Sequence, residues 1–350
     1  MNVHPISGYG AKGPACFLVK CHGRKLLLDL GEGPEPGRLP DIGSIGCVDA
    51  ILISHGHKDH IGGLHLTEHI GSPPIYATDI VKALHPEKLG GAHDLPLSGS
   101  ISICGVAVET GRASHAPGGI WMRVGGEDGV LYTGDWTTES LLYPLDPMPR
   151  ARLLIVDAAY GAYDEPVSMA LDRLVEAART GDLLLPMPPD GRGLDVAVAL
   201  LDHGIVPSLC SSHMRMAKTL IKHFPESLMS EGRSRLQALV EQARVIDADT
   251  SPSGVLIAAD ASANGGCAKK LIDEYEADTK FQIVFTGYVP KDSTAHKLVN
   301  SGRAEHLRWN VHPRLSDVKA MLKTVLPGKV YPAFLPEDQL SDYSALLQSL

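Results

Sequence analysis

Apolar residues in the first part of the chain fall into short runs broken by glycine-containing turns. ACFLVKC (15–21), KLLLDL (25–30), DAILIS (49–54), PPIYAT (73–78), SISICGVAVET (100–110), WMRVG (121–125) and GVLYTGD (129–135) read as strands. Many strands with few helices predict packed sheets there rather than a regular strand–helix alternation. From about Ala159 to Gln282 the pattern changes. PVSMALDRLVEAART (166–180) carries apolar side chains at three- and four-residue intervals, which marks a helix with one buried face. It and SRLQALVEQAR (234–244) alternate with the apolar strands LLLPMP (183–188) and GVLIAAD (254–260). IVFTGY (283–288), a helical SDVKAMLKTVL (316–326) and KVYPAF (329–334) then return to the first pattern. The expected organisation is an α/β chain in which one domain, 1–158 and 283–350, is interrupted by a second, 159–282.

The apolar run from Val48 to Ser54 ends in His55, Gly56, His57, Lys58, Asp59 and His60, with Gly62 and Gly63 behind it. Imidazoles and a carboxylate packed this densely at a strand end can turn alternate ligands toward two neighbouring cations. Zinc suits such a donor set, with Mn²⁺ or Fe²⁺ as weaker contenders. A histidine-rich surface loop is the bland alternative, and the buried strand ahead with paired glycines behind argues against it.

At this cluster the chain resembles the metallo-β-lactamase superfamily, and the resemblance extends along the sequence. KLLLDLGEG supplies an aspartate ending an early strand, Asp29, in a supporting role; GRASHAPGG supplies His115; VLYTGDW supplies Asp135. Carried over, His55, His57 and His115 serve a first metal, Asp59 and His60 a second, and Asp135 bridges both. Asp59 would also stand beside the attacking oxygen as a catalytic residue. The interruption resembles the β-CASP nuclease branch, the group of ribonuclease J and the cleavage-and-polyadenylation nucleases. It implies an αββα sandwich with an inserted α/β β-CASP-like cap. Asp157 in LLIVDAAYG and His312 in NVHPRLSD match an acid–histidine pair that would protonate the departing oxygen. In the expected cap, Gly191, Arg192 and Asp195 match a glycine–arginine element, whereas Ala261 and Ser262 stand where a glycine–methionine pair is usual. Gly287 and Tyr288 fit the strand leading back. Arg192 and Tyr160 are the expected substrate contacts.

One position departs from the branch. Its RNA-cleaving members carry a final histidine ligand near the C-terminus, and Phe334 occupies that register here, with no histidine after His312. Glu337 or Asp338 could ligate instead, His312 could ligate, or one ion could suffice. The expectation is one firmly bound Zn²⁺ and a weak or exchangeable second ion.

Composition narrows the setting. The 350 residues suffice for two domains, no apolar stretch is long enough to span a bilayer, and residues 1–13 lack a signal-peptide pattern. Cys16, Cys21, Cys47, Cys104, Cys210 and Cys267 are scattered without a C-x-x-C pair, which predicts reduced, mostly buried thiols and a cytoplasmic protein. A formal charge of −9 offers phosphates no global attraction, leaving local cations such as Arg192 or the helix-spaced Arg215, Lys218 and Lys222. His65 and His69, four apart, read as a solvated helix face, and His93, His203, His213, His223, His296 and His306 as non-ligands.

A cation in such a cluster lowers the pKa of water from about 15.7 towards about 7, so hydroxide attack is available at neutral pH. The expected function is therefore a metal-dependent nuclease cutting phosphodiester bonds in RNA or single-stranded DNA. A hydrolase of small thioesters, lactones or cyclic phosphodiesters is the alternative, and a non-catalytic nucleic-acid-binding subunit is the third reading. The expected partner is nucleic acid rather than a membrane, and a homodimer is admitted.

Overall fold

The computed structural model describes residues 1–35, 37–246, 253–275, 277–278 and 280–348. They form two compact units: 1–138 with 144–164 and 311–350, and 139–143 with 165–310.

The first unit holds two six-stranded sheets. β1 (Asn2–Ser7), β2 (Cys16–Cys21), β3 (Arg24–Leu28), β4 (Ala50–Leu52), β5 (Ile75–Ala77) and β6 (His93–Asp94) lie side by side in chain order. β1 to β3 are antiparallel and β3 to β6 parallel. The second sheet contains β7 (Gly99–Ile103), β8 (Val106–Arg112), β9 (Ile120–Val124), β10 (Val130–Tyr132) and β11 (Leu153–Asp157).

Strand alternation explains why these runs read as almost continuously apolar: both faces are covered. Phe17, Val19, Leu26, Leu28 and Leu52 meet Val108, Met122, Val124, Val130, Tyr132 and Ile155 in the core shared by the two sheets. The alternate residues Leu18, Leu27, Ile51 and Ile53 face outward onto Ile61, Val81 and Leu89. Those three belong to α1 (Lys58–Ile61), α2 (Asp79–Leu84) and α3 (Pro86–Leu89). Each fully buried side chain of this size contributes about 1.5–3 kcal/mol of transfer free energy.

The second unit is a parallel sheet wound with helices. β12 (Asp182–Pro186), β13 (Ser208–Cys210), β14 (Arg244–Ile246), β15 (Val255–Ala258), β16 (Phe281–Phe285) and β17 (Glu305–His306) lie in the order β14-β13-β15-β12-β16-β17. Its helices are α4 (Val167–Thr180), α5 (Arg192–Asp202), α6 (Ser211–His223), α7 (Ser230–Gln242), α8 (Gly266–Tyr275) and α9 (Thr294–Asn300). The helical periodicity of 166–180 appears as α4, which buries Ala170, Leu174 and Val175. On α6, Met214, Ala217 and Leu220 are buried while Arg215, Lys218 and Lys222 form an exposed stripe.

α10 (Leu315–Val325), β18 (Lys329–Ala333) and α11 (Leu340–Gln348) complete the first unit. β18 adds to the second sheet parallel to β11. Val318, Leu322, Val325, Tyr343 and Leu347 cover that sheet's outer face at Trp121, Leu131, Leu154 and Val156. The layers run helix, sheet, sheet, helix, as the αββα expectation had it.

The boundaries differ from those expected at 159 and 283. β16 pairs with β12, and β17 with β16, so IVF extends the second unit's sheet. Ala295 and Leu298 of α9 pack into the same core. The compact second unit therefore runs to Asn310, and it also takes in residues 139–143. Among the described residues, no helix is long and apolar enough to cross a membrane.

Candidate metal centre

Four of the candidate site residues stand at the C-terminal ends of strands in the parallel parts of both sheets. Asp29 follows β3, His55 follows β4, Asp135 follows β10, and Asp157 ends β11. Ends of adjacent parallel strands are where loops can aim side chains at a shared point. Two glycines make the approach possible. A Cβ on Gly31 would lie 1.7 Å from the Asp59 carbonyl oxygen. Gly134, at φ +54°, brings Asp135 in over Ser54, where a Cβ would meet the serine Cβ at 2.9 Å.

His55 Nε2 and His115 Nε2 lie 3.1 and 3.0 Å from His57 Nδ1. Asp135 Oδ2 is 3.8 Å from the first and 3.5 Å from the second. Ligands of a tetrahedral ion with bonds of about 2.0–2.2 Å lie roughly 3.3–3.6 Å from one another, so this spacing fits a cation at the centre. Asp59, His60 and Asp135 form a second group and Asp135, Asp157 and His312 a third, all sharing the Asp135 carboxylate. His60 Nε2 stands 3.3 Å from Asp135 Oδ1 and 4.0 Å from Asp59 Oδ2. Neither His60 Nε2 nor Asp135 Oδ1, both buried, has a hydrogen-bond partner among the described residues. Unsatisfied buried polar atoms facing one another are costly unless an ion takes them up. The residues present fit a divalent metal.

Bonds on the far side of each ring fix which nitrogen faces the centre. His60 Nδ1–H donates to Asp29 Oδ2 at 2.7 Å, and His115 Nδ1–H donates to the Val311 carbonyl at 2.6 Å. Both leave an Nε2 lone pair pointing inward, the usual orienting arrangement behind metal-bound imidazoles. Asp29 also accepts from the Ser54 amide, the Ser54 hydroxyl and the Tyr132 hydroxyl, each at 2.7 Å. Ser54 Oγ in turn lies 3.1 Å from His55 Nδ1. Asp29 thus gathers His60, Ser54 and Tyr132 behind the candidate centre. Ser54, Tyr132 and the Val311 carbonyl were not visible in the sequence as site residues. Only the placement of Ser54 directly before His55 hinted at one.

Electrostatics follow the packing. Burial, with the neighbouring histidines, holds His55 well below the ordinary imidazole range. Burial likewise dominates at His115. At His60 burial acts in the same direction, but Asp135, Asp29 and Asp59 outweigh it and raise the ring well above that range. Asp135 is held well below the usual carboxylate range because His60, His312 and His115 outweigh its burial.

His312 Nδ1–H donates to Asp157 Oδ2 at 2.7 Å and stands 3.7 Å from Asp135 Oδ2. Burial pushes Asp157 up against the pull of His312. Burial works against the charged form of His312, and Asp157 and Asp135 overcome it. The half-buried Tyr160 ring meets the His312 ring edge-on at 5.0 Å, and its hydroxyl accepts from the Val311 amide at 3.2 Å. Tyr160 therefore braces the segment that carries His312.

Other candidates lie elsewhere. Arg192 belongs to the second unit, where its guanidinium packs so close to Gly287 that a Cβ there would sit 2.2 Å away. Asp195 is buried in that unit, accepting from Ser140 Oγ and the Leu141 amide. Glu337 and Asp338 are exposed and join none of the ligand groups, and His65 and His69 are exposed as well. Phe334 is buried, its ring 5.5 Å from that of His60 and 6.2 Å from that of Phe17.

Comparison with known proteins agrees with this geometry. Residues 9–187 match the metallo-β-lactamase superfamily. The chain is 25% identical to the transcription termination factor FttA of Methanocaldococcus jannaschii, over 87% of this chain and 58% of that protein. It is 23% identical to a ribonuclease of Thermus thermophilus, over 85% and 82% of the two chains. To the endoribonuclease ysh1 of Schizosaccharomyces pombe it is 24% identical, over 82% of this chain and 46% of the other. The match thus spans little more than half of the archaeal factor.

Proposed function

The chain belongs to the metallo-β-lactamase superfamily, and from that premise we propose that it is a β-CASP-type, metal-dependent nuclease hydrolysing phosphodiester bonds in RNA. The observation that carries the proposal is the Asp157–His312 hydrogen bond of 2.7 Å beside the shared Asp135 carboxylate. Cleaving a phosphodiester requires a proton for the departing oxygen, a need that activated thioesters and lactones feel less. The relatives named as a ribonuclease and an endoribonuclease support the substrate class.

When bound, a divalent cation polarises the phosphoryl oxygen and makes water acidic enough to attack at neutral pH. His55, His57, His115 and Asp135 would hold the first ion, for which three imidazoles favour zinc. Asp59, His60 and Asp135 would hold a weaker second one, open to Mn²⁺ or Fe²⁺. Asp29 keeps the His60 ring turned inward. His312 would carry the proton for the departing oxygen on Nε2, and Asp157, bonded to Nδ1, fixes the ring. Tyr160 walls that side of His312, and Arg192 is the candidate phosphate contact of the second unit. With a formal charge of −9, recognition rests on such local groups rather than on the overall field. Six unpaired thiols support a cytoplasmic setting, and a homodimer belongs to the same reading.

End-labelled single-stranded RNA and sequence-matched DNA, incubated with zinc- or manganese-supplemented protein, test the proposal. RNA cleavage absent from the Asp59→Ala variant is the expected result. Cleavage of DNA alone would reassign the sugar. No cleavage of either with metal bound would move the function to small esters and cyclic phosphodiesters.

A further inference from the structure

Away from the metal centre, the second unit gathers Cys210, Ser212, His213 and Cys267 around one sulfur. Cys210 ends β13 and immediately precedes α6, a helix of 13 residues, and Cys267 lies in the first turn of α8. The Cys210 sulfur lies 3.0 Å from Ser212 Oγ and 3.1 Å from His213 Nδ1, and it accepts from the Ala259 amide at 3.4 Å. Cys267 packs against the same core cluster that holds Cys210, and the amide of the next residue, Ala268, donates to the carbonyl of Ala259, whose own amide meets the Cys210 sulfur.

The imidazole cannot turn away. His213 Nε2 lies 3.1 Å from the Pro188 carbonyl, which only accepts, so that nitrogen carries its hydrogen and Nδ1 is committed to the sulfur. A Cβ at Gly193 would lie 2.4 Å from His213 Nε2 and 2.3 Å from the Pro188 oxygen, so the glycine gives the ring its slot. Several donors and a helix N-terminus directed at one sulfur stabilise a thiolate. Cys267 and the His213 imidazole outweigh burial and hold Cys210 well below the ordinary thiol range. Cys210, with burial, pushes Cys267 up, so it remains the protonated partner. Cys16 and Cys21 stand in contrast: burial raises both, and neither has such donors around it among the described residues.

We propose that Cys210 and Cys267 form a peroxide-responsive modification site that closes into a reversible disulfide. The Cys210 thiolate attacks the near oxygen of a hydroperoxide; the S–O bond forms, the O–O bond breaks, and the far oxygen leaves and takes up a proton. The Cys267 sulfur then attacks the resulting sulfenic acid; the S–S bond forms, the S–O bond breaks, and the Cys267 proton departs with that oxygen as water. Two thiols are oxidised and one hydroperoxide is reduced. Cys210 is 2% exposed and Cys267 half-buried, so the approach is on the Cys267 side and suits a small oxidant. The bond would tie the start of α6 to the start of α8 across the end of β15.

Full-length protein is exposed to graded hydrogen peroxide, blocked with N-ethylmaleimide, digested without reduction and read by mass spectrometry. The expected product is the Cys210 peptide joined to the Cys267 peptide with loss of two hydrogens. It should form before the exposed Cys47 and Cys104 are oxidised and disappear with dithiothreitol. His213→Gln should slow its formation by about ten-fold, as a smaller thiolate fraction requires. In Cys267→Ser, a change at a half-buried position, Cys210 should stop at a sulfenic acid that dimedone captures. Oxidation of Cys47 and Cys104 with Cys210 and Cys267 still unlinked overturns the proposal, as does a Cys267→Ser protein with no dimedone adduct on Cys210.

Discussion

The His312 imidazole hydrogen-bonds the Asp157 carboxylate at 2.7 Å, joining residues 155 positions apart in the chain. Asp157 has little freedom of its own: the Ala159 amide donates to its other oxygen at 2.9 Å and its own amide donates to Thr133 Oγ1. A rigid carboxylate therefore sets the direction of the histidine. His312→Ala should lower kcat for RNA cleavage by about 10²–10⁴, the usual contribution of a general acid. The first metal should stay bound, since His312 is not in the group of His55, His57, His115 and Asp135. Unchanged turnover in this variant would remove the proton-donor role.

Asp29 tests the orienting network. It adopts φ +58°, a conformation asparagine tolerates, so Asp29→Asn should preserve the backbone. The variant weakens the bonds from His60, Ser54 and Tyr132, and a loss of metal affinity of about 10–100-fold is expected. Competition against a chromophoric chelator measures it. Wild-type affinity would show that His60 orients itself without Asp29.

Phe334 tests the proposed weakness of the second site. At φ +64° it occupies backbone that histidine accepts more readily than most residues, and its ring already faces His60. Phe334→His should raise tightly bound metal from one ion per chain to two by native mass spectrometry. Some stability should be lost, because the phenyl packs against Phe17. Stoichiometry unchanged in a folded variant would mean that the site is limited by Asp59 or His60 instead.

Asp195 predicts how the second unit responds to pH. Burial, opposed by the Ser140 hydroxyl and backbone amides, pushes its carboxyl up to about 7. The folded state then holds a proton that the unfolded state releases near pH 4, so this group's contribution falls as pH rises from about 4 to about 7. The slope is at most about 1.4 kcal/mol per pH unit. In Asp195→Asn, urea midpoints should lose this part of their decline over that window. Parallel pH profiles for the two proteins would exclude it.

The sequence made much of the candidate metal site legible because its chemistry is local. His55 to His60 fall within six consecutive positions, and Asp29, Asp135 and Asp157 each end an apolar run, a signal that period and composition carry. What it hid depends on packing between distant segments. Ser54 and Tyr132 became site residues only because two sheets press both against Asp29. Cys210, Cys267 and His213 looked like scattered residues until β13 paired with β15, His213 met the Cys210 sulfur and Cys267 packed against the same core. The expectation of mostly buried thiols also met two exposed ones, Cys47 and Cys104. The return at 283 was misplaced for a related reason. A β16 run can add to either sheet on its apolar pattern alone, and register with β12 decided which.

The bond from His115 to the Val311 carbonyl spans 196 positions. Synthesis proceeds from the N-terminus, so most of the chain has left the ribosome before that carbonyl exists. Until then His115 has no fixed tautomer, and His312, one residue further on, is missing altogether. In the proposed nuclease, the carbonyl that turns the His115 ring and the proposed proton donor are thus added only after more than three hundred other residues.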